Sequence, residues 1–168
     1  MLRFARVLLV SAATLVAGSS NAGAADGAAF LADLAGRWAG SGFIRTSATD
    51  APGSTHCHLS AVTSGSSIDI EGACDGAAKG AHLAVVLRWN ADLGQVLGTF
   101  QGGAETGSAN LAGRIEGTAL HMQVTSSSGT TSRLSLTRSG HQLSIVIAGK
   151  SQTTGKVVTW VQLAMTKG

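Results

Sequence analysis

The sequence predicts an all-β protein: a single up-and-down antiparallel β-barrel of about 8–10 strands preceded by a short N-terminal helical turn. Three observations carry this. Apolar residues alternate with polar ones through most of the chain, the period-2 pattern of half-buried antiparallel strands. Turn-forming clusters interrupt the alternation at short intervals: "TSGS" at 63–66, "DLG" at 92–94, "ETG" at 105–107, "EG" at 116–117, "SSSG" at 126–129 and "RSGH" at 138–141. Only one segment shows helical spacing. Short turns between successive strands imply a meander, and closing it into a barrel removes its edges. A two-sheet sandwich has the same periodicity and is the alternative architecture.

The elements follow in order. Arg3 and Arg6 form a basic start, Val7 to Ala17 an apolar run, and Ala22 and Ala24 an A-x-A pattern. This predicts a signal peptide over 1–24, cut after Ala24, with 25–168 as one domain. The apolar run is short for a membrane span and small polar residues break it, so no transmembrane anchor is expected after signal removal. The chain is expected to be periplasmic or secreted. In "AAFLADLAG", Phe30, Leu31 and Leu34 have helix-like spacing, and Gly36 stops the run. Strands follow. "AHLAVVLRWN" puts Leu83, Val85, Leu87 and Trp89 on one face; "ALHMQVT" does so for Leu120, Met122 and Val124. "RLSLTR" gives Leu134 and Leu136, "HQLSIVIAG" gives Leu143, Ile145 and Ile147, and the last run gives Val161, Leu163 and Met165 opposed by Trp160 and Gln162.

Composition narrows the class. The chain has 23 Gly and one Pro; the glycines sit between short alternations and read as turns and bulges. A membrane barrel needs aromatic girdles, which three Trp, four Phe and no Tyr do not supply. Losing Arg3 and Arg6 with the signal leaves 10 Lys+Arg against 9 Asp+Glu, a net charge of +1. With no basic patch interleaved with aromatics, no nucleic-acid partner is expected.

Cys57 and Cys74 are the two cysteines of an exported chain, and an even count in an oxidising compartment favours a disulfide. Cys57 shares a strand face with Leu59 and Ala61, and Cys74 with Ile68 and Ile70. A hairpin at "TSGS" would bring the two strands together. His56 and His58 then point to the other face, with Asp69 and Glu71. They are a remote metal candidate, with Asp69 or Glu71 as a third ligand; a solvated polar face is favoured, so no metal or cofactor is expected. There is no nucleophile motif, no phosphate loop, and no carboxylate pair at readable spacing. No catalytic residues are assigned, and the chain is expected not to be an enzyme.

"LADLAGRWAGSG" places Gly36-Arg37-Trp38 at the start of the first strand. This resembles the G-x-W start of lipocalins and related calycin barrels. The resemblance implies a calycin-like barrel in which Trp38 packs structurally at the closed end. The layout is also similar to small secreted lipocalin-like bacterial proteins of unknown function, which commonly carry a Cys pair on the second and third strands. A narrower likeness joins "GRWAGSG", "HCHL" and "IDIEGAC" to bacterial inhibitors of the alkaline-protease-inhibitor type, which act through an N-terminal arm. Here that arm is Ala25 to Leu34, and the chain departs from that family after Cys74.

The expected function is non-enzymatic binding of a small apolar ligand inside the barrel. Leu83, Val85, Leu87, Phe100, Leu120, Met122, Leu134 and Leu136 are the candidate ligand-binding residues. The alternative is a protein-interaction module or protease inhibitor, with a protein partner engaged by the arm and loops.

Overall fold

The computed structural model describes residues 22–77, 81–102 and 107–168. Most of the expected signal peptide therefore lies outside the described residues. One helix, α1 (Ala22–Asp33), precedes ten strands: β1 (Gly36–Ile44), β2 (Gly53–Ser64), β3 (Ser67–Gly76), β4 (Ala81–Asn90), β5 (Gln95–Gly102), β6 (Gly107–Glu116), β7 (Ala119–Ser126), β8 (Thr131–Ser139), β9 (Gln142–Lys150) and β10 (Val157–Lys167). Each strand pairs antiparallel with its sequence neighbours, and β1 pairs with β10 to close the barrel. The up-and-down barrel is thus the architecture, and the sandwich is not.

Two-residue turns at 65–66, 117–118 and 140–141 and a four-residue turn at 91–94 gather at one end. Helix α1 covers this end. Phe30, Leu31 and Leu34 are buried in one cluster with Trp38, Ile68, Leu87, Val96, Leu120 and Met165. Burying Leu31 and Leu34 alone contributes roughly 1.5–3 kcal/mol each. At the N-terminal side of α1, Gly27 lies flat against the Trp89 indole, where a Cβ would collide with the ring. At its C-terminal side three contacts hold it. Trp38 Nε1 donates to the Leu34 carbonyl at 2.8 Å, Arg138 pairs with the Asp33 carboxylate at 2.6 Å, and Lys167 Nζ donates to the Asp33 carbonyl at 3.2 Å. Lys167 also stands 5.5 Å over the Trp38 ring, a cation–π distance. Ala25 to Leu34, the segment an inhibitor arm would use, therefore belongs largely to a helix packed into the barrel end.

The disulfide forms between directly paired residues of β2 and β3, Cys57 and Cys74, both buried. The two-residue turn at 65–66 fixes this register, because each step away from the turn on β2 meets the equal step on β3.

The glycines do more than make turns. Gly40 and Gly113 lie inside strands on the inward side. A Cβ at Gly40 would stand 2.6 Å from the Met165 Cα, and one at Gly113 would stand 2.7 Å from the Met122 Cα. Neighbouring backbones come too close there for any side chain, and this lets the sheet bend sharply enough to close.

Candidate functional site

The barrel interior differs between its two halves. Near α1 most inward side chains are buried, among them Ile68, Leu87, Val96, Leu120, Met122, Leu136 and Leu163, while Trp89 and Ile115 at that end are half-buried. Towards the other end the inward residues keep part of their surface open to solvent. Val85 pairs with Phe100 on one wall, and Leu134, Ile147 and Val161 pair in a row on the opposite wall; all five are half-buried. On the β2–β3 side the interior is sealed. Thr55 is fully buried there and donates its hydroxyl to the Asp75 carbonyl at 2.6 Å.

The predicted ligand-binding residues therefore divide. All eight face inward. Leu87, Leu120, Met122 and Leu136 are buried in the core towards α1. Leu83, Val85, Phe100 and Leu134 are half-buried and remain available.

The mouth carries a residue that alternation misplaced. The register between β9 and β10 shifts between Thr159 and Val161, leaving Trp160 as the extra residue of a bulge. Bulges at barrel rims re-aim side chains. Trp160 here borders a mouth cavity of about 450 Å³ together with inward Ile147 and Ser132 and with Ser47, Thr130 and Lys150. Its arrangement is an apolar wall rimmed by hydroxyls and one cation. A volume of that size falls in the range of small-molecule sites.

A second concavity, of about 1260 Å³, lies on the outer wall. Residues of β1 to β6 line it, and its outward side chains include Arg37, His58, Glu71, Ala73, His82 and Ala84. The register corrects the expected surroundings of the first two histidines. Asp69 sits opposite Val62 and Glu71 opposite Ser60, whereas His56 faces Asp75 and His58 faces Ala73. Ser41 Oγ lies 3.1 Å from His56 Nδ1, whereas His58 lines the outer concavity. Among the described residues no three His, Cys, Asp or Glu side chains group as a metal site.

No protein-family model matches the chain, and no curated protein is significantly similar to it.

Proposed function

We propose that this chain is an exported, non-enzymatic binding protein of lipocalin-like build that takes one small apolar ligand into the open mouth of its barrel. The observation that carries this reading is the contrast between the two halves of the interior. A barrel that served only as a filled scaffold would bury its inward side chains along its whole length. Here Val85, Phe100, Leu134 and Ile147 are only half-buried, while most inward side chains towards α1 are buried. Exposing inward apolar surface forfeits roughly 25 cal/mol per Å², and a ligand that covers it recovers that energy on binding. The hydroxyls of Ser132 and Thr130 at the rim suit a ligand with one polar end.

The outer wall supports a water-facing barrel. Outward strand positions include the charged side chains Glu71, Arg114 and Arg133, which a lipid-facing band would have to exclude.

Native mass spectrometry of chain purified without denaturation tests the reading. The expected result is an adduct on the folded chain that leaves on unfolding and is lost when Leu134→Trp fills the mouth. A bare chain in every preparation would count against it.

A further inference from the structure

We propose that His58 and His82 form an exchangeable two-imidazole site for a borderline divalent transition-metal ion on the outer wall of the barrel. His58 on β2 pairs with Ala73 on β3, and Ala73 pairs with His82 on β4. The two imidazoles thus stand on one cross-strand row with a single methyl group between them. Two strand spacings put their Cα atoms about 9.6 Å apart. On a convex barrel wall outward side chains diverge. These two nevertheless line one concavity, together with half-buried Ala73 and Ala84. With both rings turned towards each other above Ala73, metal–nitrogen bonds of about 2.0–2.1 Å from each would close the gap.

The neighbouring histidines are committed elsewhere. His56 meets Ser41, and His121 meets Ser135 at 3.1 Å. Neither His58 nor His82 makes a side-chain hydrogen bond among the described residues. The donor set selects the class of ion. Imidazole nitrogen suits copper, nickel and zinc, whereas calcium and magnesium need several oxygens, and Glu71 is the one carboxylate side chain lining the cavity among the described residues. Two protein ligands leave coordination positions open to water or a small molecule, so the site exchanges its ion and is not a structural clamp.

Copper is the strongest binder in the divalent series and gives a direct readout. The test titrates untagged full chain with Cu(II) alone, by equilibrium dialysis and electron paramagnetic resonance. The expected result is one Cu(II) per chain, with nitrogen hyperfine structure from two imidazoles. His58→Ala and His82→Ala should each weaken binding at least about tenfold, since even outer-shell changes cost 10–100-fold. Ala73→Leu keeps both imidazoles and fills the space between them, and should weaken binding as well. His56→Ala and His121→Ala should leave it unchanged, and circular dichroism shows that each variant is folded. No stoichiometric binding, or binding that survives His82→Ala, overturns the proposal. The site is separate from the mouth, so its failure leaves the ligand reading untouched.

Discussion

Removing the Cys57–Cys74 bridge should lower the stability of the barrel by about 3 kcal/mol. The bond joins residues 17 apart in sequence. In the chain-entropy model a closed loop of that length removes roughly 10 cal/mol/K from the unfolded state, which is about 3 kcal/mol at room temperature. That is a large part of the 5–15 kcal/mol typical of a domain. Both sulfurs are buried, so the replacement must keep the volume. Cys57→Ala combined with Cys74→Val does this better than two serines, which would bury hydroxyls without partners. Urea unfolding followed by circular dichroism, with oxidised chain as reference, gives the difference. The expected native spectrum is unchanged, because the β2–β3 register is already set by the turn at 65–66 and by β4 on the other side. A difference below about 1 kcal/mol would refute the loop-entropy reasoning.

The other predictions concern the covered end and the mouth. Gly27→Ala on an open helix would gain about 1 kcal/mol of propensity; against the Trp89 ring it should instead destabilise, by about 1–3 kcal/mol in thermal melts. Trp38→Phe keeps an aromatic ring but removes the donor to Leu34, and should cost about 1–3 kcal/mol by urea unfolding. Val62→Lys, at a position 64% exposed, should stay within about 0.5 kcal/mol in the same assay. Trp160 borders the mouth while Trp38 and Trp89 both lie near α1, so an apolar ligand in the mouth should shift the emission of the chain, and Trp160→Phe should abolish that shift.

Much of the architecture was legible because it rests on local rules. Alternation assigned Leu83, Val85, Leu87 and Trp89 to one face, and the barrel turns all four inward. The turn at 65–66 made the Cys57–Cys74 pair readable without any long-range knowledge. Trp38 stood out through its place after the helical turn. What escaped depends on geometry the sequence does not spell out locally. Inward Gly40 and Gly113 look like turn residues until the neighbouring backbone is seen to occupy their Cβ space. The bulge at Trp160 breaks the period, and Val158 and Val161, three apart, were its sequence signal. Asp33, Arg138 and Lys167 meet only because α1 crosses the barrel end, bringing together residues more than a hundred positions apart. The His58–Ala73–His82 row likewise needs two strand registers at once.

The most direct test of ligand carriage is titration of the folded chain with N-phenyl-1-naphthylamine, an uncharged apolar fluorophore. Saturable enhancement with one probe per chain is predicted, lost in Val85→Trp and Leu134→Trp, which fill the mouth, and retained in Val62→Lys on the outer face. Absence of saturable binding, or binding that persists when the mouth is filled, would contradict the account.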